Sequence, residues 1–150
     1  MRITPEHLFV YGTLQRAVAS PMRDRMERDT VLVDRGTISG RLFDAHHFPA
    51  LILAPAGSAD RVHGELLHLP DDKLRRRRLL SALDHYEGVL HGPAELLSLF
   101  QRVVTDVTVN DGRRVPAWIY VYQRDVSGFE PIEGGDWIAH GQQVTATAVT

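Results

Sequence analysis

The chain of 150 residues contains no cysteine. This absence excludes a disulfide framework, a thiolate nucleophile and a zinc site built on sulfur ligands. The sequence also lacks any run of about 18 apolar residues, the length that predicts a membrane-spanning helix. Residues 1–14 hold no apolar run of signal-peptide length. We therefore expect a cytoplasmic protein that has no membrane partner.

The chain has little net charge and no change of composition along its length. Its formal net charge is −2, whereas dedicated nucleic-acid binders are generally basic. The run 75–78 consists of four arginines, which point around most of a helix and predict a solvated face rather than a phosphate-binding patch. With 43% hydrophobic residues, we expect a single domain over residues 1–150 and no nucleic-acid partner.

The apolar pattern of the N-terminal half predicts strands. Residues 7–11 form an apolar, partly aromatic run that stops at Gly12, which indicates a buried strand running into a tight turn. Residues 15–29, which include Pro21, are expected to form a loop or short broken helices. Residues 34–36 are interpreted as a break between two strands. Further strands are predicted over 31–33, 37–44, 48–53 and 61–69.

One clear helix follows Pro70. Asp71 is expected to accept a hydrogen bond from an early helical N–H group. Leu80, Leu83 and Glu87 are spaced i, i+3, i+7 and share one helix face. A buried carboxylate at the end of an apolar stripe costs several kcal/mol, and desolvation raises its pKa into the range useful for proton transfer. Alternatively, the helix ends early and Glu87 points to water.

The C-terminal half contains a hairpin pattern. Residues 101–109 and 113–122 are strand-like, and Asn110-Asp111-Gly112 between them tolerates the positive φ angles of a tight turn. Alternation along the second strand places three aromatic residues on one face, Trp118, Tyr120 and Tyr122.

The segment Tyr11-Gly12-Thr13-Leu14 is a candidate binding loop. Where a buried strand ends at a glycine and the chain turns, consecutive backbone N–H groups become free to point into one concavity. Such a group of donors binds a carboxylate or a carbonyl oxygen. An ordinary turn has the same sequence pattern.

The eight histidines do not predict a metal site. Adjacent residues of a strand, such as His46 and His47, point to opposite faces, and so do residues five apart, such as His63 and His68. Neither pair can chelate a metal in an extended conformation. We expect no metal and no cofactor.

Five sequence blocks, in their order along the chain, resemble the gamma-glutamylcyclotransferase-like family. The N-terminal block 9–14 is similar to the opening strand and substrate loop of that family, and block 83–88 is similar to its catalytic block. The remaining similar blocks are 40–44 with 48–51, 62–66 and 117–122. The resemblance implies an α+β fold, a small mixed β-barrel with flanking helices.

The activity that the resemblance implies is a cofactor-free intramolecular acyl transfer. The α-amine of a small gamma-glutamyl substrate attacks the γ-carbonyl, which releases 5-oxoproline and an amine or amino acid. By similarity, Glu87 is the acid/base carboxylate. The implied substrate-binding residues are Tyr11, Gly12, Thr13 and Leu14, with a hydroxyl from Tyr120 or Tyr122.

The sequence departs from the family at Phe100, where members often have a tyrosine two residues before the arginine, here Arg102. Residues 89–99 have no familiar counterpart and are expected to form either a lid or a rim loop. A non-catalytic module that binds a carboxylate or glutamyl ligand on the same fold is the alternative. The leaving amine and the oligomeric state stay open.

Overall fold

The computed structural model describes residues 5–55 and 57–141. Its elements in chain order are β1 (His7–Val10), α1 (Pro21–Asp29), β2 (Val31–Asp44), β3 (Pro49–Leu53), β4 (Arg61–His68), α2 (Lys73–Tyr86), β5 (Phe100–Val109), β6 (Arg114–Tyr122) and β7 (Glu130–Ile132). A 3₁₀ segment, Gly92–Leu97, lies between α2 and β5. No helix in the described ranges combines the length and apolar character needed to cross a membrane.

Five strands close into a barrel in the order β2-β4-β1-β6-β5. The ring closes because β5 also pairs with β2, through Gly36 with Val109 and Thr37 with Thr108. The barrel is mixed, since β1 is antiparallel to β4 and parallel to β6. The strands β3 and β7 pair with the C-terminal half of β2, outside the ring. The predicted α+β fold, a small mixed β-barrel with flanking helices, is confirmed.

The strand β2 is continuous over 14 residues, so the predicted break at 34–36 is wrong. A register shift between Leu32 and Asp34 bends the strand without ending it. Gly36 pairs with β4 on one side and with β5 on the other. A Cβ atom at Gly36 would lie 2.8 Å from the backbone oxygen of Thr108. This glycine therefore permits close strand approach at the barrel closure and does not mark a turn.

The segment 15–29 contains a regular helix, α1, in addition to the predicted loop. Pro21 occupies the first turn of α1, where its missing N–H group costs nothing. The Ser20 hydroxyl oxygen accepts a hydrogen bond from the Arg23 N–H group at 3.0 Å. Pro21 thus begins the helix that it was expected to break.

The N-terminal cap of α2 is Asp72, not the predicted Asp71. The Oδ1 atom of Asp72 accepts hydrogen bonds from the N–H groups of Leu74 at 2.9 Å and Arg75 at 3.0 Å. Two adjacent aspartates fit the same cap pattern, and the helix start at Lys73 selects the second one.

The hairpin β5–β6 has the predicted turn. Gly112 adopts a φ of 90°, a region that favours glycine. The Arg113 N–H group donates to the Asp111 carboxylate at 2.9 Å, so the side chain of a turn residue stabilises the turn. The predicted hairpin is confirmed.

Successive side chains of β1 enter two different cores. Phe9 packs inside the barrel in a cluster with Ile38, Leu66 and Ile119. Leu8 belongs to a second cluster that also contains the apolar residues of α1 and α2. This alternation follows from the period of a strand, and it makes β1 the wall shared by the barrel interior and the helix layer.

We predict that Gly64→Ala destabilises the barrel. A Cβ atom at Gly64 would collide with the Val10 backbone oxygen and would lie 2.7 Å from Cζ of Phe9. Overpacking of this kind lowers the free energy of unfolding by about 1–3 kcal/mol. The matched control is Gly128→Ala, where a Cβ atom meets nothing within 4 Å. Urea unfolding should show a change within about 0.5 kcal/mol for the control, and equal stability of the two variants would contradict the prediction.

Candidate active site

A narrow recess lies at the end of β1. Its cavity volume is about 30 Å³, well below the roughly 300–1,000 Å³ of typical ligand pockets, so the recess is a narrow cleft in this conformation. Its lining residues are Phe9, Val10, Tyr11, Gly12, Thr13, Leu14, Phe48, Pro49, Glu87, Phe100 and Tyr120. The recess thus brings the predicted loop and the predicted carboxylate together.

Glu87 is the last residue of the helix stripe and caps α2. Its N–H group donates to the Leu83 carbonyl oxygen at 2.9 Å, so the helical pattern continues through it. Leu80 and Leu83, on the same face, are buried. Gly88 follows with a φ of 72°, the left-handed conformation that commonly ends a helix. The helix therefore ends at Tyr86, and its C-cap residue Glu87 lines the recess.

Burial raises the pKa of Glu87 from 4.5 to about 7. No group in residues 5–55 or 57–141 donates a hydrogen bond that would stabilise its carboxylate form. The protonated and ionised forms of Glu87 are therefore both populated near neutral pH. A carboxyl group in that condition is suited to accept and return a proton.

Two tyrosines of the recess are linked by a hydrogen bond from side chain to backbone. The Tyr11 hydroxyl donates to the Tyr120 carbonyl oxygen at 2.5 Å. The Tyr120 hydroxyl in turn donates to Oδ1 of Asp84 at 2.7 Å. Burial, with a smaller contribution from Glu87, raises the pKa of Tyr11 well above its usual value. Burial, followed by the charge of Asp84, raises the pKa of Tyr120 in the same direction. Both phenols are therefore protonated at neutral pH.

Tyr120, but not Tyr122, lines the recess. The Tyr122 ring packs among the rings of Phe48, Phe100 and Phe129, with centroid distances of 5.4–6.1 Å. The sequence left the choice between the two tyrosines open, and the structure places only Tyr120 where it can contact a ligand. Tyr122 supports the recess from behind.

Asp84 is a buried acid that the sequence analysis did not single out. The residue is 5% exposed, and its carboxylate accepts hydrogen bonds from Arg102 Nε at 2.8 Å and Nη2 at 3.2 Å. The Arg102 guanidinium also lies 4.3 Å from the Trp118 ring centroid. The helical spacing could have indicated Asp84 as a residue near the site, because it precedes Glu87 by three residues and therefore lies near it on the helix surface.

The loop from Tyr11 to Arg16 is held by contacts at both sides. The Arg16 N–H group donates to the buried carboxylate of Glu65 at 2.8 Å. The Gln15 N–H group donates to the Gly12 carbonyl oxygen at 3.2 Å. A Cβ atom at Gly12 would lie 2.6 Å from Cγ of Pro49, so only glycine allows this proline to pack against the loop. These contacts hold the loop in a defined conformation.

The N–H groups of Gly12, Thr13 and Leu14 find no acceptor within the described part of the chain. All three residues line the recess. Unpaired backbone donors beside a cavity are available to an anion or a carbonyl oxygen of a ligand.

Residues 89–99 border the recess without lining it. The side chains of Leu96 and Leu97 in the 3₁₀ segment are 96% and 68% exposed. The Ser98 hydroxyl closes the segment by accepting from the Leu90 N–H group at 2.8 Å. Of the two predicted roles, lid or rim loop, this arrangement has the form of a rim loop. The next residue, Phe100, lines the recess with a ring that lacks a hydroxyl.

His46 lies in a turn, whereas His63 and His68 lie in β4. His46 adopts a positive φ of 75° in the turn before β3, and the His68 ring lies edge-on to His7 at 5.0 Å. Across residues 5–55 and 57–141, no group of three histidine, aspartate or glutamate side chains is arranged to hold a metal ion.

The fold and the recess together define a small mixed barrel with one acid beside a loop of amide donors. The family model described as gamma-glutamyl cyclotransferase, AIG2-like, matches residues 8–139. The chain belongs to this family. No curated protein matches the sequence.

Three solved structures show the range of similarity. YkqA from Bacillus subtilis superposes with a TM-score of 0.66 at 21% identity, over 95% of this chain and 43% of YkqA. An uncharacterised protein from Pyrococcus horikoshii gives 0.60 at 15% identity, over 93% and 96% of the two chains. An AIG2-like protein from Mus musculus gives 0.58 at 25% identity, over 80% and 79%. The first two similarities show the fold alone, and the chain spans less than half the length of YkqA.

The raised pKa of Glu87 predicts a specific pH dependence of stability. Between pH 4.5 and about 7, Glu87 ionises in the unfolded chain while it stays protonated in the folded one. Ionisation then favours unfolding, so this contribution to stability is lost as pH rises through that window. In Glu87→Gln the side chain cannot ionise, so this pH-dependent loss of stability does not occur.

Urea unfolding of wild type and Glu87→Gln at several pH values measures this effect. The variant should gain stability relative to wild type as pH rises from 4.5 to about 7, with no further gain above that range. All other titrating groups are common to the two proteins, so the difference isolates Glu87. A difference that is independent of pH would contradict the raised pKa.

Proposed function

We propose that this protein cyclises gamma-glutamyl compounds, releasing 5-oxoproline and an amine or amino acid. The proposal is carried by the Glu87 carboxyl group, whose pKa of about 7 suits a group that accepts and returns a proton near neutral pH. The same recess contains three backbone N–H groups that have no acceptor among the described residues. Family membership supports a cyclotransferase-type reaction. The proposed substrate is a small molecule that carries its own nucleophile, so no protein nucleophile is needed.

In the proposed reaction, Glu87 moves protons from the attacking nitrogen to the leaving nitrogen. It first takes one proton from the substrate α-ammonium, and the free amine then attacks the γ-carbonyl carbon. A carbon–nitrogen bond forms and the carbonyl oxygen becomes an oxyanion. Return of the proton to the leaving nitrogen breaks the original amide bond. A second transfer along the same route leaves a neutral lactam, a protonated amine and Glu87 in its starting state.

The backbone donors of Gly12, Thr13 and Leu14 are proposed to bind the substrate α-carboxylate and the developing oxyanion. Loss of one donor of this kind typically costs about 10²- to 10³-fold in rate, so the geometry of the loop is as important as the acid. The contacts of Gly12 with Pro49 and of Arg16 with Glu65 hold that geometry before a ligand arrives. Phe48 and Phe100 supply apolar surface to the recess.

Replacing Glu87 with glutamine should abolish the production of 5-oxoproline from a panel of gamma-glutamyl amines and dipeptides. The amide keeps the shape of the side chain but cannot carry a proton, and we expect kcat/KM to fall by at least about 10²-fold. Glu130→Gln, an exposed acid of β7 outside the recess, is the matched control and should retain wild-type activity.

The pH profile of the wild type provides a second readout of the same group. Glu87 must be ionised to accept a proton, so kcat/KM should rise with pH through a midpoint of about 7. Full activity in Glu87→Gln would show that the mechanism is wrong. A wild-type protein that binds glutamyl ligands and forms no 5-oxoproline would instead be the non-catalytic binding module.

A further inference from the structure

The two tyrosine hydroxyls at the recess both donate their protons to other groups of the protein. A backbone carbonyl oxygen can only accept, so the proton in the Tyr11–Tyr120 hydrogen bond belongs to the Tyr11 hydroxyl. A carboxylate paired with a guanidinium also only accepts, so the proton between Tyr120 and Asp84 belongs to the Tyr120 hydroxyl. Each phenol has one proton, and each has already donated it to the protein.

The direction of these two hydroxyl protons determines whether a ligand in the recess meets hydrogen-bond donors or acceptors. A phenol oxygen whose proton is donated elsewhere offers only lone pairs, so it can accept from an ammonium group but cannot donate to a carbonyl or carboxylate. Glu87, in the same recess, is also an acceptor when ionised. The N–H groups of Gly12, Thr13 and Leu14, which line the same recess, can only donate. The recess therefore offers acceptors on its tyrosine and glutamate side chains and donors on its backbone loop.

The direction of the Tyr120 proton depends on Asp84 and on the groups that hold it. Arg102 donates two hydrogen bonds to the Asp84 carboxylate, and its guanidinium is fixed in turn over the Trp118 ring. His91 Nε2 lies 3.7 Å from the second carboxylate oxygen. The Asp84 carboxylate, paired with Arg102, keeps the Tyr120 hydroxyl in one orientation. An uncharged acceptor at residue 84 would hold this hydroxyl more weakly, because a hydrogen bond to a charged group is the stronger kind, and the Tyr120 proton could then turn to the recess.

We propose that the Asp84–Arg102 ion pair positions the Tyr120 hydroxyl and thereby determines ligand specificity. Because the Tyr120 proton is donated to Asp84, the Tyr120 oxygen can only accept, and it selects a ligand that places an ammonium group beside Glu87. This inference rests on the proposed function for the identity of the substrate, and it adds two residues that do not touch the substrate. Asp84 acts through Tyr120, and Arg102 acts through Asp84.

The test compares two ligands that differ only by the ammonium group, L-glutamine and its desamino analogue glutaramate. Calorimetry gives the ratio of their affinities for wild type, Tyr120→Phe, Asp84→Asn and the double variant. Wild type should favour L-glutamine by about tenfold or more, because a hydrogen bond to a charged group commonly has that effect. Tyr120→Phe and Asp84→Asn should each lower the ratio to within about threefold of unity. The matched control Tyr122→Phe, two residues along the same strand and outside the recess lining, should keep the wild-type ratio.

The double variant separates positioning from general structural support. If Asp84 acts through the Tyr120 hydroxyl, Asp84→Asn has no further effect on the ratio once that hydroxyl is absent. A loss in the double variant equal to the sum of the single losses would overturn the proposal, as would no preference for L-glutamine in wild type. If Asp84→Asn does not fold, an unchanged ratio in Tyr120→Phe alone overturns the proposal.

The binding ratio and the formation of 5-oxoproline are separate readouts, so the two proposals fail in different ways. A wild type that prefers L-glutamine and produces no 5-oxoproline contradicts the proposed reaction and leaves the role of Asp84 standing. An active wild type whose ratio survives Asp84→Asn contradicts only the role of Asp84.

Discussion

Desolvation of one carboxyl group, Glu87, is the constraint on which the rest of the site depends. The apolar stripe of α2 is held against the barrel by Leu80 and Leu83, and the next position on that face is an acid instead of a leucine. No cation of residues 5–55 or 57–141 forms an ion pair with this acid, and its unfavourable desolvation raises its pKa to about 7. A group of this kind is costly for stability, which is commonly the case where a residue is kept for chemistry.

Two carboxylates three residues apart in α2 have opposite surroundings. Asp84 receives hydrogen bonds from Arg102 and from the Tyr120 hydroxyl, whereas Glu87 receives none from the described residues. The contrast follows from the helix period, which directs Asp84 towards β5 and β6 and Glu87 towards the loop after β1. One helix turn thus carries one acid that is paired with an arginine and one acid that lines the recess without such a partner among the described residues.

The sequence was informative wherever a local rule decides the structure. The strand that stops at Gly12, the stripe that ends at Glu87 and the turn at Gly112 each follow from spacing or backbone freedom. The sequence was misleading at Gly36, where glycine serves a close approach of strands distant along the chain, and at Pro21, which begins a helix. The Asp84–Arg102–Tyr120 network could not be derived, because it joins residues up to 36 positions apart through side-chain orientations that only the closed barrel sets.

A carboxyl-carbon NMR titration of Glu87 tests the central claim most directly. The resonance is assigned by its absence from the Glu87→Gln spectrum, and its chemical shift is followed across the acid and neutral range. A midpoint near pH 7 agrees with a desolvated acid that faces the recess. A midpoint near the ordinary glutamate value of about 4.3 would show that the carboxylate is solvated and would contradict the account.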